Sequence, residues 1–375
     1  MVIIDNGWRA SPLHLKRGKT MSISIDMLDT PAVLVDIDKA QANIDRAQQY
    51  ANTHGFCLRP HIKTHKLSWF AHKQVQAGAV GITCQKLTEA EIMAQAGLSD
   101  ILLTYNIIGA HKLGRLVNLA RQVNLSVVAD NLPVIEGYDR VTAGADIPAL
   151  RVFVECDTGG NRCGVQTPHD ALTLAQRIMA APNLCFAGLM TYPASGKQAQ
   201  ADTWLEQARG VFDTAGVTIP AITVGGTPDL WTAGDMRNMT EYRPGTYIYM
   251  DRSQVAAGAA TIGDCALSVL ATVISRPTDT RAIIDAGTKT LTSDLLGQDG
   301  YGHIIGHEDS RITALSEEHG TIHSGGGTSL PAIGDKVRII PNHACVVTNM
   351  FDHIYLVSDG KVIDRLPVIA RGGVS

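Results

Sequence analysis

The segment Leu58-Arg59-Pro60-His61-Ile62-Lys63-Thr64-His65-Lys66 sets one lysine between two histidines and among further cations. On an extended strand side chains alternate faces, so His61, Lys63 and His65 would share one side. Crowding by Arg59 and Lys66 should lower an amine from its free value of about 10.4. A partly neutral amine condenses with aldehydes, which makes Lys63 a candidate Schiff-base residue. A basic surface loop is the plain alternative for the same residues.

Two glycine-bearing segments supply a partner chemistry. Val224-Gly225-Gly226-Thr227 ends a strand-like run, and small residues there let backbone N–H groups converge on an anion while Thr227 adds a hydroxyl. Arg243-Pro244-Gly245-Thr246-Tyr247 opens the next such run and could complete the same pocket. An ordinary turn explains each glycine pair equally well on its own. A lysine at one strand end and a phosphate cradle at another fit a phosphorylated aldehyde cofactor, pyridoxal 5′-phosphate (PLP).

Two further sites bear on that chemistry. Arg162, in Gly159-Gly160-Asn161-Arg162-Cys163-Gly164, is either a surface arginine or a hydrogen-bond donor to the cofactor's ring nitrogen. Because arginine keeps its proton, it would leave that nitrogen unprotonated. His343 and Cys345, in Pro341-Asn342-His343-Ala344-Cys345, stand at i and i+2 and on extended backbone would face one way. Two ligands are too few for a closed structural zinc site but match an open catalytic one. Core packing of both residues is the alternative.

The surrounding elements read as alternating strands and helices. Strands are expected at 58–63, 81–85, 100–105, 125–130, 150–157, 185–192, 221–227 and 245–251, with helical patterns such as 38–51, 88–96, 112–123, 168–181 and 203–215 around and between them. Runs such as Ile101-Leu102-Leu103 suit strands buried on both faces. Eight such units give a (β/α)8 TIM barrel over residues 25–260, with a doubly wound sheet as the other arrangement of the same elements. In a barrel the chemistry sits at the C-terminal strand ends, where Lys63, Gln85, Tyr192 and Gly226 fall. After residue 260 the texture becomes strand and turn, at 266–274, 281–285, 336–340, 354–357 and 368–370. That pattern predicts an antiparallel β domain over 261–375, which the strand at 32–36 could join and against which residues 1–24 would pack.

Composition excludes several classes. A chain of 375 residues with a formal net charge of −4 offers no basic footprint for nucleic acid or anionic membrane. No apolar run reaches the roughly 18 residues of a membrane span, and the N-terminal residues lack a signal-type apolar core. Seven scattered cysteines without a CxxC pair fit reduced thiols in a cytoplasm.

Taken together and in order, these motifs resemble the D-threonine aldolase and D-serine dehydratase family, metal-dependent PLP enzymes with an alanine-racemase-like fold. The resemblance rests on Thr30-Pro31-Ala32, the Arg59–Lys66 segment, Cys84-Gln85-Lys86, Asn161-Arg162-Cys163-Gly164-Val165 and Gly225-Gly226-Thr227. It rests further on Asp285-Ala286-Gly287, Glu318-His319-Gly320 and His343-Ala344-Cys345. It implies PLP on Lys63, with His61, Gln85, Arg162, Tyr192, Gly225, Gly226, Thr227, Gly245, Thr246 and Tyr247 around it. It also implies a divalent metal (zinc or manganese, with magnesium a further candidate) on His343 and Cys345, His65 as a base near a substrate β-hydroxyl, and a homodimer. The expected substrate is a small D-3-hydroxy amino acid. Cys345 and the pair of glycines before Thr227 look dehydratase-like, whereas Cys84-Gln85-Lys86 and Asn161-Arg162-Cys163-Gly164 look aldolase-like. D-Threonine aldolase is placed first and a D-serine or D-3-hydroxyaspartate dehydratase second. An amino-acid racemase or a non-catalytic PLP-binding protein, neither of which needs a metal, comes third.

Overall fold

The computed structural model describes residues 23–326 and 330–375, so the expected packing of residues 1–22 lies outside the described part. The helix Ile37–His54 shows how local sequence sets the elements. Asp36 caps its start by accepting the Lys39 N–H, and Gly55 ends it at φ 74°, a left-handed turn that favours glycine. Its buried stripe of Ala40, Ile44, Ala47 and Ala51 follows helical spacing and packs into the main core.

Strand β1, Ala32–Asp36, precedes this helix. Eight parallel strands then follow in one sheet. They are β2 (Cys57–Leu58), β3 (Ile82–Cys84), β4 (Asp100–Leu103), β5 (Asn124–Ala129), β6 (Leu150–Cys156), β7 (Leu184–Thr191), β8 (Ile222–Val224) and β9 (Glu241–Tyr242). Their order runs β2-β9-β8-β7-β6-β5-β4-β3, and a parallel bridge between His61 and Thr83 joins the two ends into a barrel. Inward side chains Leu102, Val128, Phe153, Ala187 and Met190 fill its middle. At Gly188, φ 133°, a Cβ would lie 1.8 Å from the Ala221 carbonyl, so only glycine lets β7 and β8 approach as they do.

A second sheet collects the C-terminal strands. They are β10 (Leu267–Thr278), β11 (Arg281–Ile284), β12 (His303–Ile304), β13 (Ser310–Leu315), β14 (Gly320–Ser324), β15 (Lys336–Ile340), β16 (His353–Ser358) and β17 (Lys361–Pro367). Strand β1 lies among them, antiparallel to β10 and parallel to β16. Its residues alternate, with Val33 and Val35 in the large core and Ala32 and Leu34 in a smaller one. The architecture is thus a TIM barrel plus an antiparallel-rich β domain.

Three expectations need correction. The strand at 58–63 ends at Leu58, and Lys63 lies on a short 3-10 turn, Ile62–Thr64. The eighth strand is β9, not 245–251; Pro244 cannot donate to a ladder, and a 3-10 turn at Thr246–Ile248 follows. Residues 368–370 lie past β17 in a turn, and sequence reading missed β17 along with β12, β13 and β14.

Candidate active site

Lys63 reaches the barrel mouth because the chain turns there. His61 caps the turn, its Nδ1 accepting the Lys63 backbone N–H at 3.3 Å. That fixes the other nitrogen as the donor to Gln85 Oε1, 3.1 Å away. Gln85 is itself pinned, its Nε2 donating to the Thr104 carbonyl and its backbone N–H to Glu89. Both nitrogens of His61 are therefore spent, and its buried ring, held well below its ordinary pKa first by desolvation, is a neutral wall.

The Lys63 amine is lowered from its ordinary value, chiefly by burial, with Arg162 and Arg243 adding repulsion. The neighbours expected from sequence do not cause this. Arg59 is held below by Glu241 and Asp100, and Lys66 pairs with Glu89 at 2.8 Å. The amine opens into a cavity of about 240 Å³ that also takes in His61, Gln85, Arg162 and Tyr192. Gly226, Thr227, Gly245 and Thr246 form one wall, and His343 with Cys345 another.

The glycine wall is built like an anion cradle. Thr227 Oγ1 accepts the N–H groups of Gly245 and Tyr247, tying the two strand ends together. Among the described residues no hydrogen bond occupies the N–H groups of Gly226, Thr227 or Thr246. A Cβ on Gly245 would come within 3.1 Å of Thr64 Oγ1, so that position must stay small. Lys63, these free amides and the cavity volume fit PLP: the lysine would hold its aldehyde carbon and the amides its phosphate.

Three expected residues lie apart. His65 is fully buried, its Nδ1 accepting the Leu67 N–H and its Nε2 facing Gln74, so no ring nitrogen turns to the cavity. Burial lowers its pKa to about 4. The Tyr247 ring points away, its hydroxyl bound by Gln74. Gly225 lies beneath the cradle, where a Cβ would stand 2.7 Å from the Arg243 carbonyl. Alternation fails for His65 because the chain at Lys63 is a turn and not a strand.

His343 and Cys345 come from the far end of the chain. His343 is extended (φ −139°) and immediately precedes the helix Ala344–Met350, whose first turn carries Cys345. Asp251, fully buried, fixes this junction: Oδ2 accepts the Ala344 N–H at 2.9 Å while Oδ1 caps the helix Arg252–Ala256. The Cys345 thiol sits 3.2 Å from Thr64 Oγ1 and 3.6 Å from Thr246 Oγ1, with His343 on the same cavity wall. Burial pushes this thiol up, but the hydrogen bond and charge of His343 outweigh it and the net shift is down. In turn His343 rises to about 9, where Cys345 and Asp294 overcome desolvation. A thiol and an imidazole side by side form a donor pair for a divalent cation that displaces their protons. Among the described residues no group of three or more metal-type ligands occurs, so water or substrate would have to complete the coordination.

Sequence reading gave several contributors no role of their own. Arg243 lies on the cavity floor, its Nη1 donating to Thr223 Oγ1 and its Nη2 to the Thr191 carbonyl. Thr64, Asp294 and Leu296 were likewise given none; Arg243, beside the glycine pair, and Asp251, at an expected strand end, carried a signal. Other motifs prove structural. Thr30 Oγ1 bonds Asp285, while a Cβ on Gly287 would strike the carbonyls of Ser316 and Glu317.

Fold and cavity define an alanine-racemase-type barrel enzyme organised around a buried amine. The chain belongs to the D-threonine aldolase and D-serine dehydratase family and is a PLP-dependent lyase. A family model described as the alanine racemase N-terminal domain matches residues 35–253, and one described as a putative serine dehydratase domain matches 266–357. The chain is 34% identical over 360 residues to a D-threonine aldolase of Arthrobacter sp., covering 92% of this chain and 93% of that one. It is 33% identical over 370 residues to the D-threo-3-hydroxyaspartate dehydratase of Delftia sp. strain HT23, covering 89% and 96%. The crystal structure of D-threonine aldolase from Filomicrobium marinum superposes with a TM-score of 0.88 at 30% identity, covering 97% of this chain and all of that one. No helix among the described residues is long and apolar enough to cross a membrane.

Proposed function

We propose that the chain is a metal-assisted lyase of D-3-hydroxy amino acids, and that its reaction is the aldol cleavage of D-threonine-type substrates to glycine and an aldehyde. The observation that carries this is the placement of the His343–Cys345 donor pair in one cavity with the Lys63 amine. PLP bound there would supply an electron sink for the bonds of the substrate's Cα, and a divalent ion on the donor pair would polarise the β-hydroxyl. The protein's own groups do the rest. Lys63, lowered by burial, can carry a proton to or from Cα at Nζ. Tyr192, raised chiefly by burial, keeps its phenolic proton and can donate a hydrogen bond. Arg162, 5.0 Å above the Tyr192 ring, presents a permanent cation to the cavity and is assigned to the cofactor's ring nitrogen.

One observation favours a second reading, D-3-hydroxy amino acid dehydration to a 2-oxo acid and ammonia. The soft Cys345 donor selects zinc, a strong Lewis acid for a departing hydroxide. Supplying purified protein with D-threonine and D-serine, with and without a chelator, separates the two. Glycine with aldehyde identifies cleavage, 2-oxo acid with ammonia identifies dehydration, and neither product from either substrate sinks both. We also take the working unit to be a homodimer: Leu295 and Leu296 leave half-exposed apolar surface beside the cavity, a face suited to a partner. A monomer in sedimentation at working concentration would contradict it.

A further inference from the structure

We propose that Asp294 is the positioning residue of the donor pair, fixing His343 so that its Nε2, and not its Nδ1, faces the cavity beside Cys345. The inference rests on the metal reading above. Asp294 Oδ2 lies 2.7 Å from His343 Nδ1. A carboxylate only accepts, so Nδ1 carries the proton and the lone pair available to a cation belongs to Nε2. A free imidazole would otherwise divide between two tautomers and two ring orientations.

Asp294 is itself held by the residue beside His343. Asn342, 1% exposed, donates from Nδ2 to the backbone carbonyls of Asp294 at 3.0 Å and Gly300 at 2.9 Å. Its Oδ1 accepts from Arg252 Nη1, which also reaches the Gly300 carbonyl. The loop is bent to this purpose: Thr292 (φ 69°) and Leu296 (φ 50°) occupy the left-handed region on either side of Asp294. L-residues persist there only where the surroundings over-determine them. At Leu296 the strain buys no core packing, since that side chain is 50% exposed, whereas Thr292 is buried. It brings the carboxylate to Nδ1 and carries Leu296 to the cavity wall.

The test uses full-length, cofactor-loaded protein stripped of divalent metal, with zinc titrated against a chromophoric chelator. Asp294→Ala should bind zinc roughly 10- to 100-fold more weakly. The metal-free variant should melt as the parent does, because the carboxylate is half-exposed. Asp294→Asn, whose carbonyl can still accept the Nδ1 proton, should fall between them. In zinc-loaded parent protein labelled with ¹⁵N-histidine, the His343 resonance, assigned by its loss in His343→Gln, should show Nδ1 protonated and Nε2 bound to metal. Coordination through Nδ1, or equal zinc affinity in parent and both variants, overturns the assignment of Asp294. If the parent binds no zinc, the metal reading itself fails.

Discussion

Sγ of Cys345 lies 3.2 Å from Oγ1 of Thr64, the residue that follows Lys63. That contact joins positions 281 apart in sequence and fastens the β-domain donor pair to the turn bearing the reactive amine. Neither half makes a site alone. The barrel supplies amine and anion cradle, and the segment after β15 supplies imidazole and thiol. Asp251, at the end of the barrel's chain, caps the junction between them.

Lys63→Ala should abolish turnover by at least roughly 10²–10⁴-fold, since among the described residues no other amine lies on the cavity wall. The purified variant should also lose the visible absorbance that borohydride fixes to the protein. Retention of a reducible chromophore would show that another amine holds the cofactor.

Chelation should remove activity and leave that chromophore in place, because His343 and Cys345 form a different wall from the cradle of Gly226, Thr227 and Thr246. Zinc or manganese should restore turnover. Undiminished turnover in protein shown to be metal-free would sink the metal reading and revive the racemase reading, placed third.

Glu155, on β6, points into the barrel and is 5% exposed, its carboxyl without a hydrogen bond or ion pair among the described residues. Burial first, then Asp130 and Asp157, raise its carboxyl from 4.5 to about 7 against the pull of Arg162 and Arg243. Between those values the folded protein binds more protons than the unfolded chain, so stability falls as pH rises through the window. The cost of ionising it is at most about 3 kcal/mol. Glu155→Gln should therefore stabilise the protein at pH 8 by roughly 1–3 kcal/mol relative to its effect at pH 4.5. Urea unfolding at both pH values measures this, and an equal effect at each would place the carboxyl in a well-solvated setting.

How much of this was legible follows from range of interaction. Continuous apolar runs such as Val152-Phe153-Val154 mark strands because burial on both faces leaves no room for alternation. The two residues of β9 carry no period at all, so the buried aromatic run that follows Pro244 passes for the eighth strand. Lys63, Arg162, His343 and Cys345 stand in short motifs whose chemistry is local. Spacing cannot report that the chain turns at Lys63 and withdraws His65, nor that Arg162 and Arg243 rather than Arg59 and Lys66 press on the amine. Asp294 has no local signal, since its meaning comes from a contact 49 residues away.

Cys345→Asp decides between the two proposed reactions. It keeps two protein donors but exchanges soft sulfur for hard oxygen, so the metal preference should move from zinc toward manganese. The hydrogen bonds that Thr64 and Thr246 share with the thiol can be taken over by a carboxylate oxygen, and the helix Ala344–Met350 remains held by Asp251. If the native reaction is dehydration, a weaker Lewis acid expels hydroxide less readily. Formation of 2-oxo acid should then fall more than any aldehyde formation, by about 10-fold for each 1.4 kcal/mol lost. If the native reaction is cleavage, the hydroxyl oxygen stays on the product aldehyde and needs only stabilisation of its charge, so glycine production should persist once manganese is supplied. Metal content by elemental analysis and both product ratios are the readouts. Unchanged metal and products in the variant would mean that Cys345 is a packed thiol with no part in binding a cation.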